Sequence, residues 1–509
     1  MKMSRSRLRN SLLALSLSAV FALTACAPSA SPAPSSLSEG VPAELAPFYE
    51  QAIAWNSCDS GFECARVDAP IDWANPAGKT LELSLIRHRA SGSDRAGSLF
   101  VNPGGPGGSG VTFIRDNLDY AIDKKLQAAF DVIGFDPRGI GESTPVTCYD
   151  APEMDEYLYG LTPTKRNTAA ALSEQIAAAT SFGKACLSRT GELLGHVDSV
   201  SVARDLDMLR ALVGDKTLNY VGYSYGTFIG AMYAQTFPQN VGKLVLDGAV
   251  DRSVSSANGL VAQAKGFEMA LGNYLTWCFT QLDCPFENSV ATARATISTL
   301  LAQLDEQPIE AEDGRQLGAD TMVTAIIAPL YSKNSWKYLT QLFDDVINRD
   351  GAETAFALAD WYNDRNENGE YQSNQTEAYD AVTCLDSPAS PSSQWQAEAA
   401  QIEKAAPLIG RYFAYSEANC SVWPIKAVLT PGPLGPTGER PIVVIGTTGD
   451  PATPIAWAES LAKQLTNGRL IRLTGEGHTG YNRGSECVNK IVDDYMLGIA
   501  QPATLSTCS

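Results

Sequence analysis

Three side chains far apart in the chain carry the chemistry of acyl transfer: Ser224 as a nucleophile, His478 as its base and Asp450 as the acid that orients the imidazole. Ser224 lies in Gly222-Tyr223-Ser224-Tyr225-Gly226, which fits G-x-S-x-G, the pattern of a serine held on a tight strand-to-helix turn. Glycine and serine are common here, so the pentad alone decides nothing. Its flanks do: "LNYVG" before it reads as strand and "GTFIGAMYAQTF" after it as helix. On such a turn the hydroxyl stands above the sheet, beside the free amides that open the next helix.

The base comes from a short list, because the chain holds three histidines, His88, His196 and His478. His478 closes the run "RLIRLTGEGH" late in the chain, where the order Ser, acid, His requires it. His88, flanked by Arg87 and Arg89, and His196, which follows a helical stretch, read as surface or packing residues. Asp450 ends "PIVVIGTTGD" between the other two in chain order. Asp247 and Asp251, near the preceding strand end, compete as the acid; otherwise they serve turns and caps.

A fourth element is "NPGGPGGSG", residues 102–110. Five glycines in nine residues cost chain entropy unless backbone must come close to something, here a developing oxyanion. The backbone N–H of Tyr225 and one from Gly104 or Gly105 are the expected donors. A phosphate loop is the weaker reading, since no Lys follows the glycines there.

The elements that must position these groups alternate. From residue 81 short apolar runs, "LELSLIRHR", "GSLFVNPGG", "FDVIGFDPRG", "LNYVGYSYG", "KLVLDGAVD", "PIVVIGTTGD" and "RLIRLTGEGH", alternate with helical stretches and deliver polar or glycine-rich residues at their C-terminal ends. That rhythm is an α/β sheet, mostly parallel and covered on both faces. Between Asp251 and about residue 425 it gives way to amphipathic helix, which predicts an inserted helical cap. The expected division is a signal peptide over 1–25, a lipidated Cys and tether over 26–42, a first core part over 43–251, the cap over 252–425 and a returning core part over 426–509.

The 509 residues carry a net charge of −19, which opposes nucleic acid and anionic lipid as partners and points to no substrate. The N-terminus runs from Lys2, Arg5, Arg7 and Arg9 through an apolar stretch to Leu23-Thr24-Ala25-Cys26, a signal peptide ending in a lipobox. Cys26 is thus expected to carry lipid and hold the exported protein to the cell membrane; plain secretion is the alternative. The Pro-, Ser- and Ala-rich segment behind it reads as a tether.

Setting Cys26 aside leaves ten cysteines, an even number for an exported chain. Chain proximity suggests Cys58 with Cys64, Cys148 with Cys186, Cys278 with Cys284, Cys384 with Cys420, and Cys487 with Cys508. Metal binding is disfavoured, as no C-x-x-C occurs and histidines are few; no metal or cofactor is expected.

"NPGGPGGSG", "DPRGIGES", "GYSYGT", "LDGAVD", "AVTCLD", "GTTGDPATP" and "GEGHTGY" together resemble the α/β-hydrolase serine peptidases of the prolyl aminopeptidase clan, more closely the exported tripeptidyl aminopeptidases, over about residues 45–505. The resemblance implies an α/β-hydrolase fold with a helical cap, and a peptide substrate with a free N-terminus whose ammonium meets a carboxylate. Asp386 in "AVTCLD" is the candidate anion, or else a solvent-facing helix-end residue, while Arg138 in "DPRG" is expected to fix a loop. Two rivals remain: a cell-envelope esterase or lipase with the same three side chains, and a catalytically idle binding lipoprotein.

Overall fold

A computed structural model describes residues 41–162, 164–287 and 289–509. The expected signal peptide, Cys26 and nearly all of the tether lie outside the described residues. Twelve strands run in chain order among those residues: β1 (Asn56–Ser57), β2 (Glu63–Pro70), β3 (Thr80–His88), β4 (Gly97–Asn102), β5 (Phe130–Phe135), β6 (Leu218–Tyr223), β7 (Val241–Asp247), β8 (Ile309–Glu310), β9 (Gln316–Leu317), β10 (Ile442–Gly449), β11 (Gly468–Glu476) and β12 (Leu505–Cys508).

Ten of them form one sheet in the order β1-β2-β3-β5-β4-β6-β7-β10-β11-β12. The edge β1-β2-β3 is antiparallel and joins β5 antiparallel; from β5 to β12 every pairing is parallel. β4, β5, β6 and β7 read as continuous apolar runs because both faces are buried. Alternate residues serve the two faces: Phe100, Tyr220 and Leu246 pack into one core, Leu99, Val101, Val221 and Val245 into the other. The connection from β4 leads to β5 on one side, whereas β6 lies on the other side of β4. A crevice outside the C-terminal ends of β4 and β6 is therefore where a ligand has room.

Between β7 and β10 the chain builds a helical region with its own core, formed among others by Phe267, Tyr274, Ile297, Met322, Leu339 and Phe343. It does not end where amphipathic sequence does. The helix Ala151–Tyr159, between β5 and β6, sends Tyr159 into that core and Asp155 to Arg365 at 2.8 Å. Conversely, the helix Gln375–Asp386 buries Ala381, Val382 and Leu385 in the sheet core. Packing thus crosses both residue 252 and residue 425.

Disulfides join Cys58 to Cys64, Cys148 to Cys186, Cys278 to Cys284, Cys384 to Cys420 and Cys487 to Cys508, the same pairs that chain proximity suggests. Among the described residues no helix is long and apolar enough to cross a membrane, and no group of three or more His, Cys, Asp or Glu side chains could hold a metal ion.

Candidate active site

Strand β6 ends at Tyr223 and the helix Tyr225–Thr236 begins at once, so Ser224 makes the whole turn. Its φ of +53° is a left-handed conformation that a residue with a side chain adopts at a cost. The flanking glycines are required by contact. A Cβ at Gly222 would lie 2.4 Å from the Gly226 carbonyl oxygen, and one at Gly226 would lie 2.8 Å from Asn102 Oδ1. Ser224 N–H donates to the Asp247 carbonyl at 2.8 Å, tying the turn to the end of β7.

The glycine-rich loop after β4 closes over this turn. A Cβ at Gly104 would stand 2.8 Å from Tyr225 N and 2.9 Å from Ser224 Cβ, so backbone alone fits there. The Gly104 N–H donates to Asn102 Oδ1 at 2.9 Å.

His478 follows β11. Its Nδ1 lies 2.8 Å and 3.0 Å from the two carboxylate oxygens of Asp450, which follows β10 and is wholly buried. Asp450 Oδ1 accepts from Ala452 N–H at 2.9 Å and Thr453 N–H at 2.8 Å, an arrangement in which the turn after the strand holds the carboxylate still. His478 N–H donates to the Tyr331 carbonyl at 2.8 Å, and the Tyr331 ring stands edge-on to the imidazole at 5.6 Å. Burial pulls the imidazole pKa down, but the charge and hydrogen bond of Asp450 outweigh it, leaving His478 above the usual histidine value. Its Nε2 is buried and makes no hydrogen bond among the described residues.

The turn and the imidazole flank one peptide. Asp247 holds Ser224 N–H through its carbonyl, and the next residue, Gly248, is so close to the ring that a Cβ would lie 3.0 Å from His478 Cε1. Ser224, Asp450 and His478 are thus gathered at the C-terminal ends of β6, β7, β10 and β11.

Asp247 and Asp251 make other hydrogen bonds. Asp247 is buried and accepts from Gly480 N–H and Tyr481 N–H, at 2.9 and 2.7 Å; burial raises its pKa to about 6 against those bonds. Asp251 accepts from Ser253 and Gln464. His88 packs against Phe62, and His196 offers its carbonyl to Arg138. Arg138 is fully buried, paired with Asp205 and bonded to the Pro70, Ile71 and His196 carbonyls.

Asp386 differs from both expectations placed on it. It is 6% exposed rather than solvent-facing, and it accepts from Ser199 N–H at 3.0 Å, from Ser199 Oγ and from the Tyr225 hydroxyl. A carboxylate so occupied beneath the turn is not presented to a substrate. Burial raises its pKa to about 7, against the pull of those donors.

Sequence reasoning missed Thr453, whose Oγ1 lies 2.9 Å from Asp450 Oδ2 and 3.2 Å from His478 Nδ1. The signal was the Asp-x-x-Thr turn "DPAT". Replacing Thr453 by Val removes a hydrogen bond to a charged group, worth about 1.5–3 kcal/mol. The expected result is a fall in kcat/KM of about tenfold or more, largely restored by Thr453→Ser; steady-state kinetics on one chromogenic substrate checks it.

A cleft of about 310 Å³ opens in the helical region, lined by Asp320, Val323, Thr324, Ile327, Tyr362 and Phe413 together with Tyr412. Residues 320, 324, 327 and 331 follow one face of the helix Ala319–Leu330 and its last turn. That face leads from Asp320 to Tyr331, hence to His478. Tyr362 bridges the two, its ring 6.2 Å from that of Tyr331.

A strained serine turn under a glycine loop, with a His–Asp pair delivered by the parallel strands β10 and β11, defines a class, and family comparison agrees with it. Residues 97–482 match the family model described as the alpha/beta hydrolase fold. The chain belongs to the α/β-hydrolase family and is a serine hydrolase. It is 32% identical over 496 residues to serine protease Hip1 of Mycobacterium tuberculosis, covering 91% of this chain and 92% of that protein. It is 34% identical over 480 residues to carboxylesterase B of the same organism, with 91% of each covered. To the tripeptidyl aminopeptidase of Streptomyces lividans it is 29% identical over 479 residues, 90% of this chain and 86% of that one.

Proposed function

We propose that the chain is an exported serine exopeptidase that releases short peptides, three residues long, from free N-termini. The gathering of Ser224 and the His478–Asp450 pair on either side of the Asp247–Gly248 peptide carries this reading. His478 Nε2 takes the Ser224 hydroxyl proton as Oγ attacks the scissile carbonyl carbon. Tyr225 N–H receives the oxyanion, joined by Gly105 N–H, since the Gly104 N–H is committed to Asn102. The tetrahedral adduct collapses, the C–N bond breaks and the proton passes from Nε2 to the leaving amine. Water repeats the cycle on the acyl-enzyme and frees the N-terminal peptide.

The cleft supports the substrate class. Asp320 is its one charged lining side chain; its cation partner, Arg166 at 2.8 Å, is shared with Asp305 at 2.9 Å, so the cluster keeps a net negative charge. Along the helix Asp320 lies about 16 Å from Tyr331. Allowing about 5 Å for the carboxylate's reach and one hydrogen bond, the remainder holds about three extended residues. Export is supported by five disulfides, which persist in an oxidising compartment, and membrane attachment through lipid on Cys26 completes the reading.

The identity to carboxylesterase B favours a second reading, an envelope esterase using the same side chains. A peptide with a free N-terminus, its acetylated twin and a short-chain ester separate the two. The exopeptidase reading expects the free peptide to be cut at least about tenfold faster than its twin, and equal cutting contradicts it. Asp320→Asn should reduce that preference by about tenfold, whereas Glu310→Gln, on an exposed stretch of the same region, should keep it.

A further inference from the structure

We infer that Asp386 is a positioning residue for the oxyanion hole, and that the helix Gln375–Asp386 braces both halves of that hole at once. The inference rests on the reading of Ser224 as nucleophile and deepens it. The two proposed donors come from different places: Tyr225 opens the helix after the turn, and Gly105 belongs to the loop after β4. β4 and β6 pair as far as Asn102 and Gly222, and Gly104 packs against the turn, but Gly105 and Tyr225 themselves lie beyond the strand ends. Something must hold them in register, because an oxyanion donor acts only when its N–H is already aimed where charge will develop.

The helix Gln375–Asp386 touches both. At its C-terminal end Asp386 accepts the Tyr225 hydroxyl, so the residue whose N–H faces the oxyanion is held from its other end. The same carboxylate takes Ser199 N–H and Ser199 Oγ at the start of the helix Ser199–Leu212, which fixes the acceptor itself. At the N-terminal end, Gly107 lies against the helix so closely that a Cβ would stand 2.7 Å from the Gln375 carbonyl and 3.4 Å from Ala378 Cβ. Asn374, just before it, donates to the Gly139 and Val146 carbonyls and accepts Gly141 N–H. Cys384 anchors the helix by its disulfide to Cys420.

Burying a carboxylate with no cation is costly unless it is hydrogen-bonded. Here the bonds come from one serine and from the phenol of the residue after the nucleophile. The Tyr225 ring also stacks on Phe228 at 5.2 Å, so removing its hydroxyl leaves the ring packed. That makes Tyr225→Phe a narrow test: it cuts the tie to Asp386 and leaves the backbone donor in the chain.

The experiment compares wild type, Tyr225→Phe, Asp386→Asn and the double variant on a peptide substrate, and against a peptide boronate whose tetrahedral adduct needs the oxyanion hole. Each single variant is expected to lower kcat by about tenfold or more with KM within about twofold, and to weaken the boronate by a similar factor. The double variant should be little worse than the worse single one, because both cut the same tie. Tyr225→Phe with kcat and boronate affinity within twofold of wild type overturns the inference, and so do losses that multiply in the double variant. A brace that served stability alone would lower Tm without moving the boronate. Ser224→Ala at wild-type turnover would instead overturn the nucleophile itself, and the inference with it.

Discussion

Ser224→Ala is expected to lower kcat by about 10⁵-fold or more while the protein keeps its fold. The size follows from what is removed. Without Oγ no acyl-enzyme forms, and His478 has no hydroxyl to activate; only the oxyanion donors and substrate binding continue to act. The fold should tolerate the change, because the φ of +53° at residue 224 is set by the turn and by the Asp247 carbonyl, not by the hydroxyl. A fluorophosphonate should label wild type and leave the variant unlabelled, with steady-state rates giving the magnitude. A variant that retains a tenth of wild-type turnover excludes Ser224 as nucleophile.

Asp450→Asn is expected to cost about 10⁴-fold in kcat near neutral pH. Asp450 accepts five hydrogen bonds, from Ala452 N–H, Thr453 N–H, Thr453 Oγ1, His478 Nδ1 and Thr479 N–H. An amide can accept on one side only. Its NH₂ must face either the backbone donors of the turn or the imidazole, and facing the ring it selects the tautomer in which Nε2 carries the proton and cannot take another. The pH profile adds a second reading. His478 is held above the usual histidine value by Asp450, so kcat/KM of wild type should fall as pH drops through that raised pKa, where the base becomes protonated. Without the carboxylate the charged imidazole loses its support, and the acid limb should move to lower pH.

Much of this site was legible because strand ends carry it. The G-x-S-x-G turn, the acid after "PIVVIGTTG" and the histidine after "RLIRLTGEG" each follow an apolar run whose C-terminal end points the same way as the others. A parallel sheet converts that pattern into proximity whatever the chain separation. What could not be read are contacts between segments with no shared register. Nothing in "AVTCLD" announces that Asp386 lies under Tyr225, because helix periodicity predicts a buried face but not its partner. Nor did helical content reveal that Ala151–Tyr159 packs with the inserted region while Gln375–Asp386 packs with the sheet. Thr453 falls between these cases: its turn was readable, its bond to the carboxylate of Asp450 was not.

The most direct test is a crystal structure of the enzyme inactivated by a fluorophosphonate. The adduct should sit on Ser224 Oγ, with its phosphoryl oxygen within about 3 Å of Tyr225 N and Gly105 N, and with His478 Nε2 within hydrogen-bond reach of Oγ. An adduct on another residue, or an imidazole held away from Ser224, would contradict the account.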